Sequence, residues 1–155
     1  MPTLRRATVS DAATITHHRH LMFADNAFCS EDRLLALDAV FEPWVREHLA
    51  NGKYVGLLIE DDATHEVIAG AGIFFHEFAP HWMDLTPQRG YLLNFYTAPD
   101  ARGQGHAKLL LNEAVAIVRA RGLQLVTLHA SKFGRPIYEG YGFKQSTEMM
   151  LRFPS

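Results

Sequence analysis

The sequence contains a single cysteine, Cys29, so no disulfide can form within the chain. It has no run approaching the roughly 18 to 20 apolar residues that a membrane span needs, and its amino terminus lacks the apolar core of a secretory signal. The sequence also lacks a strong excess of either charge, because its 15 basic and 17 acidic residues are scattered and leave a net charge of −2. We therefore expect a cytoplasmic protein that binds neither membranes nor nucleic acid.

Linkers and repeats are absent as well. A length of 155 residues is typical of one domain, and 48% hydrophobic residues are enough to build a sizeable core. We see no repeat and no Ser-, Gly- or Pro-rich run that would divide the chain. We therefore expect a single domain over residues 1–155.

Two well-known phosphate signatures do not occur. No Gly-Lys-Ser/Thr is present, so the sequence has no P-loop. Gly103 and Gly105 are followed by Lys108 where a dinucleotide fingerprint needs its third glycine. A nucleotide-binding α/β domain is therefore the weakest of the alternatives that we consider.

The stretch from Tyr91 to Arg121 carries the clearest pattern. Tyr91–Thr97 is nearly continuous in apolar and aromatic residues, as in a strand covered on both faces. Apolar residues then recur at intervals of three and four up to Gly122, which predicts an amphipathic helix that begins near Gly105. Glycines at the start of a helix allow an anion to approach the free N–H groups of its first turn. The turn at residues 102–107 is therefore a candidate phosphate site.

The other elements predict an α/β sandwich with a mixed sheet of six to seven strands and about four helices. A helical crossover should place the strand at residues 123–129 parallel to the one at 91–97. Residues 77–89 lack periodicity and are expected to form a loop, and Pro43 should interrupt the second helix. The remaining expected strands are 3–7, 54–60, 67–76 and 143–152, and the remaining helices start near Ser10 or Asp11, after Ser30 and at Phe133.

The turn resembles the acetyl-CoA motif of the GNAT superfamily of N-acetyltransferases. Arg102, Gly105 and Ala107 meet its consensus R/Q-x-x-G-x-G/A. The later segments 128–131 and 138–143 are also similar in order and spacing to those of the family. The resemblance implies a GNAT fold whose two central parallel strands splay apart to admit the pantetheine arm of CoA.

The resemblance also implies which residues bind acetyl-CoA. Its pyrophosphate would lie on the backbone amides of Arg102, Gly103, Gln104, Gly105, His106 and Ala107. The backbone of Phe95, Tyr96 and Thr97 would run along pantetheine and polarise the thioester carbonyl. Ser131, which stands where many members have Asn, would contact CoA, cap the short helix, or do both. Gly134 would begin that helix beside the cofactor and is counted among the residues that bind it.

For catalysis, the resemblance assigns Tyr138 as the general acid that protonates the leaving thiolate. The base that takes the proton of the amine is less well marked. Glu77, which follows a strand near the expected cleft, is the tentative choice, with His76 and Asn94 as alternatives. Each of these three residues also has a simpler interpretation as a surface or structural residue.

These observations predict an N-acetyltransferase that uses acetyl-CoA as co-substrate and a primary amine as acceptor. Direct attack in a ternary complex is expected because no nucleophile is marked, and Cys29 has the pattern of a buried structural thiol. The alternative is a non-catalytic acyl-CoA-binding module. No metal is expected, since the histidines at positions 17, 18, 20, 76 and 81 are expected at the polar surface or on the wall of the acceptor site. The acceptor is not identified, and a homodimer, common in the family, is left open.

Overall fold

The sheet of this protein has five strands in the order β1-β2-β3-β4-β5, seen in a computed structural model that describes residues 2–154. All neighbours are antiparallel except β4 and β5, which are parallel as predicted. The elements in chain order are β1 Thr3–Arg6, α1 Ala12–Asp25, α2 Glu31–Asn51, β2 Tyr54–Glu60, β3 Val67–Glu77, β4 Gln88–Thr97, α3 His106–Ala120, β5 Val126–Leu128 and α4 Arg135–Tyr141. The predicted α/β class, with its mixed sheet and four helices, is confirmed.

Each face of the sheet has its own hydrophobic core. The apolar stripe of α3 packs on one face, where Leu110 and Leu111 are fully buried among residues of the central strands. Helices α1 and α2 cover the other face through Ile15, Phe41 and Val45. No helix within residues 2–154 is long and apolar enough to cross a membrane.

A β-bulge in β4 interrupts its regular pairing with β3. Leu93 pairs with Gly72 and Tyr96 with Gly70, so Asn94 and Phe95 together stand opposite a single residue of β3. Asn94 has a φ of +61°, an uncommon conformation for a residue with a side chain. Strands β4 and β5 pair only from Gly90 to Leu92 and separate beyond that point. The bulge therefore lies where the two parallel strands splay apart, as the GNAT resemblance implies.

The conformation of Asn94 is held by a buried contact with Tyr54, and this contact depends on Gly72. The amide of Asn94 donates a hydrogen bond to the Tyr54 hydroxyl at 2.8 Å. A Cβ atom at Gly72 would overlap that hydroxyl and the Tyr54 ring. Gly72 therefore makes the room that lets Tyr54 reach the bulge.

We expect Gly72→Ala to lower the free energy of unfolding by about 1–3 kcal/mol, since overpacking displaces the fully buried Tyr54 ring. The control is Gly140→Ala in α4, where a Cβ atom meets nothing within 4 Å and where a gain of about 0.4–1 kcal/mol is expected. Urea denaturation of the wild type and both variants measures the effect. Equal stability of the three proteins would show that Tyr54 is not constrained at Gly72.

The predicted strand count is too high, because the expected strand over residues 143–152 does not form. Residues 143–154 contain no strand and pair with no part of the described sheet. A strand requires a hydrogen-bonded neighbour, and here the segment has none and leaves Met149 and Phe153 exposed. Within residues 2–154, β5 is therefore an edge strand.

The prediction that Pro43 interrupts the second helix is also wrong, because α2 continues through it from Glu31 to Asn51. Phe41 and Val45, on either side of Pro43, are buried in the same core, so packing favours one continuous helix. Pro43 and Ala39 are exposed, and water can bind the Ala39 carbonyl that loses its helical partner. The cap predicted at Ser30 is confirmed, since its hydroxyl accepts the Arg33 N–H at 3.3 Å.

Candidate active site

The splay between β4 and β5 continues into a cleft of about 1430 Å³. Pockets for a single drug-sized ligand usually measure roughly 300–1,000 Å³, so this cleft has room for a larger ligand together with a second one. Its walls come from α1, the bulged half of β4, the turn before α3, the end of β5 and α4. These elements are distant in sequence and are brought together by the fold, beside the bulge.

The turn before α3 presents unpaired backbone N–H groups to one end of the cleft. Gly103 and Gly105 have φ values of +77° and +85°, which glycine adopts without steric cost. The first hydrogen bond of the helix runs from Leu109 N–H to the Gly105 carbonyl at 3.1 Å. The N–H groups of His106, Ala107 and Lys108 thus precede the helical ladder and carry the positive end of its dipole. This geometry suits a phosphate group.

The larger side chains of the turn are engaged elsewhere. Arg102 donates to the Thr97 carbonyl at 3.0 Å and forms an ion pair with Asp25 at 2.9 Å, which ties the turn to α1. The Gln104 side-chain amide donates to the Asp100 carbonyl at 3.4 Å, and Gln104 does not line the cleft. His106 is buried. An anion bound here would therefore contact mainly the backbone, as the sequence predicts.

Ser131, Gly134 and Tyr138 lie together on the opposite wall. The Ser131 hydroxyl accepts the Gly134 N–H at 3.1 Å, so it stabilises the start of α4 while it faces the cleft. A Cβ atom at Gly134 would lie 2.9 Å from the Tyr138 ring, so glycine permits this close packing. Burial raises the pKa of Tyr138 to about 12. Its phenol therefore keeps its proton at neutral pH and remains a hydrogen-bond donor.

Phe95 in the bulge and the next two residues, Tyr96 and Thr97, line the cleft, as their predicted role requires. Phe95 packs edge to face against Tyr138, with ring centroids 5.7 Å apart, and so couples the bulge to α4. Tyr96 packs on His18, with ring centroids 5.0 Å apart. The two rings are thus engaged in packing, and binding by the backbone of these residues stays a prediction.

Glu77 is not brought to the cleft. It pairs with Gln88 at the beginning of β4, whereas the bulge and the cleft lie towards the other end of that strand. His76 stacks on Phe74 and also lies outside the cleft. Asn94 does line the cleft, but its side chain is bound to Tyr54 and Arg19. Position therefore favours none of the three as the residue that takes a proton from the amine.

Tyr91 and His129 form a polar pair in the cleft that our sequence analysis does not single out. The Tyr91 hydroxyl is hydrogen-bonded to His129 Nδ1, and the Nε2 atom of this histidine lies 3.7 Å from the Glu148 carboxylate. Burial raises the pKa of Tyr91, so the phenol stays protonated and can donate to Nδ1. Nε2 then carries the ring proton and faces the carboxylate. The position of His129, just after a parallel strand, is the one signal that could have indicated it.

Two predictions about histidine and cysteine need correction. His18 is not at the polar surface but is buried, and desolvation lowers its pKa to about 4. Cys29 is exposed rather than buried, because it lies in the connection between α1 and α2.

His20 lies 2.7 Å from Asp38 and 2.9 Å from Glu31. No group of three or more His, Cys, Asp or Glu residues within residues 2–154 could hold a metal ion.

Comparison with known proteins identifies relatives over nearly the whole chain. A family model described as the acetyltransferase (GNAT) family matches residues 17–143. The chain is similar to a GCN5-related N-acetyltransferase from Ralstonia eutropha JMP134, with 31% identity, a TM-score of 0.93 and 99% coverage of both chains. It is also similar to a predicted acetyltransferase from Clostridium acetobutylicum solved with acetyl-CoA, with 29% identity, a TM-score of 0.90 and coverage of 99% of this chain and 96% of that one.

More distant structures share the fold alone. An acetyltransferase from Trypanosoma brucei is 21% identical, with a TM-score of 0.70 over 100% of both chains. No curated protein matches the sequence.

Proposed function

Because the chain belongs to the acetyltransferase (GNAT) family and is an acyltransferase, we propose that it transfers the acetyl group of acetyl-CoA to a primary amine by direct attack in a ternary complex. The observation that carries this proposal is the continuity of the cleft. It joins the free N–H groups at the start of α3 to Tyr138 and to the Tyr91–His129 pair, along the bulged part of β4. Phosphate binding and proton transfer are thus available at separate parts of one site.

The turn and the bulge supply binding and electrostatic stabilisation. Backbone N–H groups of the turn at residues 102–107 bind the pyrophosphate of acetyl-CoA, as helix N-termini generally bind phosphate. At the bulge itself, Asn94 and Phe95 leave the regular pairing with β3, so a backbone N–H there can donate to the thioester oxygen. A donor fixed in advance towards a developing oxyanion is usually a large part of catalysis.

In the reaction, the lone pair of the neutral amine attacks the thioester carbonyl carbon and forms the C–N bond. The carbonyl electrons move to oxygen and return when the C–S bond breaks, which leaves the thiolate of CoA. One proton leaves the nitrogen and one is taken up by the sulfur, so charge and atoms balance. No covalent acetyl-enzyme is required.

Tyr138 is the donor to the departing sulfur. With a pKa of about 12 its phenol is a weaker acid than an ordinary thiol, whose pKa is about 8.5, so complete transfer to the thiolate is unfavourable in the free enzyme. Its main contribution is therefore a hydrogen bond that strengthens as negative charge develops on sulfur. Packing of the ring between Phe95 and Phe143 fixes the direction of this donor.

In place of Glu77, the pair of Tyr91 and His129 accepts the proton of the amine. The Tyr91 oxygen takes that proton while the phenol passes its own to His129 Nδ1, and Glu148 stabilises the charge that forms on the ring. Aliphatic amines with a pKa near 10.4 are almost wholly protonated at neutral pH, so a route for this proton is needed.

We expect Tyr138→Phe to lower kcat about 10- to 100-fold and to leave the Kd of acetyl-CoA unchanged, because the ring keeps its packing and only the donor to sulfur is lost. Release of free thiol from acetyl-CoA, followed over a broad panel of amines, measures kcat. Isothermal titration measures Kd for both proteins. Acetyl-CoA binding by the wild type without turnover on any amine would contradict the proposed transfer and favour a binding module.

A further inference from the structure

Arg19 of α1 forms part of the cleft wall on the side of Tyr91 and His129. Its Nη1 donates to the Asn94 side-chain oxygen at 2.8 Å. The guanidinium lies between the rings of Phe23 and Phe41, with its central carbon 4.7 and 4.8 Å from their centroids. Nε is buried and has no acceptor within residues 2–154, and Nη2 makes no hydrogen bond there. The side chain is thus fixed in place with donors to spare.

The charge of Arg19 has no counter-charge in the described part of the chain. Some arginines that are more exposed do have one, as in the pairs Arg46–Glu42 and Arg135–Glu139. Burial lowers the pKa of Arg19, opposed only by the neighbouring phenols of Tyr54 and Tyr91. Buried charges are normally paired, because desolvation without a partner is costly. An anion that enters the cleft would supply the missing partner.

Arg19 lies close to the bulge, where the acetyl group would react. Asn94, which accepts the hydrogen bond from Arg19, is a bulge residue. Only the Asn94 side chain therefore separates the guanidinium from the backbone that we propose to bind the thioester oxygen. Tyr91 and Leu93 are two residues apart on β4, so both side chains project to the face that α1 covers. The positive charge of Arg19 acts on the Tyr91 phenol. Tyr138 packs with the core on the other face. The cation thus lies on the side from which the amine would approach.

We propose that Arg19 binds a carboxylate of the acceptor, and that the acceptor is a small amino acid whose amino and carboxylate groups are separated by only a few atoms. This inference rests on the proposed transfer reaction, because the bulge defines where the amine must react. A guanidinium recognises the planar carboxylate group well. The other Arg and Lys residues of the cleft wall are Arg102 in the turn before α3 and Lys108 in the first turn of that helix. Within residues 2–154, Arg19 is therefore the one Arg or Lys at the acceptor end of the cleft. One cation matches a monoanion better than a phosphate dianion.

The test compares α-amino acids with their carboxamides, which keep the side chain and the amine but lose the negative charge. The amine of the carboxamide is the easier one to deprotonate, so intrinsic reactivity alone would favour the amide. We expect the wild type to prefer the acid at least about tenfold in kcat/KM, which corresponds to one charge-assisted hydrogen bond. Lengthening the spacer from glycine to β-alanine and longer ω-amino acids should reduce kcat/KM progressively.

Arg19→Met keeps the length and the packing between the two rings but removes the charge. We expect it to abolish the preference for the acid, mainly through KM, while the Kd of acetyl-CoA stays unchanged. Arg19→Lys should keep part of the preference. Arg46→Met is the matched control, since Arg46 is exposed on α2 and does not line the cleft. This control should behave like the wild type.

A binding measurement separates this proposal from the reaction on which it rests. N-acetylamino acids, the expected products, are titrated into the CoA-saturated wild type and Arg19→Met proteins. Binding that requires Arg19, together with no turnover of any amine, would retain the carboxylate site and overturn the transfer. Turnover of acids and amides at equal rates, or an unchanged preference in Arg19→Met, would overturn the carboxylate site and leave the transfer standing. A wild type that neither binds the products nor turns over any amine contradicts both.

Discussion

Gly105→Trp is expected to weaken acetyl-CoA binding about 100-fold or more, as measured by isothermal titration. Gly105 is the cap of α3, and the space beside its α-carbon is open, so the indole would occupy the place where a phosphate must approach the helix. Loss of one or two charge-assisted hydrogen bonds, at about 1.5–3 kcal/mol each, accounts for an effect of this size. We expect this to be among the largest binding defects of any single substitution in the chain.

A control must separate blocked binding from backbone strain, because Gly105 has a φ of +85° that other residues adopt at a cost. Gly122 provides this control. Its φ is +80°, a Cβ atom there also meets nothing within 4 Å, and it lies beyond the other end of α3, away from the cleft. Gly122→Trp should lose similar stability in urea denaturation and bind acetyl-CoA like the wild type. Equal binding by the Gly105 and Gly122 variants would mean that the turn holds no phosphate.

The phosphate-binding half of the site could be predicted from sequence because its determinants are local. Two glycines, an apolar stripe at helical spacing and a preceding strand occur within residues 91–121, and the same residues form the turn, helix and strand. The parallel pairing of β4 with β5 followed from the length of the crossover between them. Local backbone preference and chain connectivity were sufficient for these features.

The acceptor half could not be predicted because its contacts join distant residues. Arg19 meets Asn94 across 75 positions and Tyr91 meets His129 across 38. Neither pair has a spacing that marks it, and the bulge at Asn94 that brings them to one cleft depends on the register of β4 against β3. The tentative choice of Glu77 as the base had the same origin, because the sequence places it at the end of a strand but does not show at which end of that strand the cleft opens.

The carboxyl-terminal segment illustrates a different limit. Residues 143–152 are predicted as a final strand, yet the sequence of a segment does not supply the neighbour with which a strand must pair. Strand formation requires an unpaired edge in the right place, and this depends on where the rest of the fold leaves the segment. Here Arg135 contacts Gln145 and His129 contacts Glu148, so the segment passes the cleft instead of joining β5 along its length.

Removing the proton acceptor of the Tyr91–His129 pair should give the second large loss of activity. We expect His129→Gln to lower kcat/KM for amine acetylation about 100-fold at neutral pH, within the range of general base catalysis. Glutamine can still hydrogen-bond to Tyr91 but cannot hold an additional proton, so the fold is kept and the proton acceptor is lost. Rates of thiol release at neutral pH measure the loss, and His76→Gln, which changes a half-buried histidine outside the cleft, is the matched control.

The pH dependence distinguishes a proton acceptor from a structural residue. Neutral amine becomes abundant as pH rises towards about 10.4, so the defect of His129→Gln should shrink with rising pH, whereas a defect of folding or binding should not. Tyr91→Phe interrupts the same route, and the double variant should therefore be about as slow as either single variant, since residues in one relay are not additive. A constant defect at all pH values, or additive losses in the double variant, would remove the Tyr91–His129 pair from the reaction. The amine would then have to lose its proton directly to water, and the cleft would need only to bind it in its neutral form.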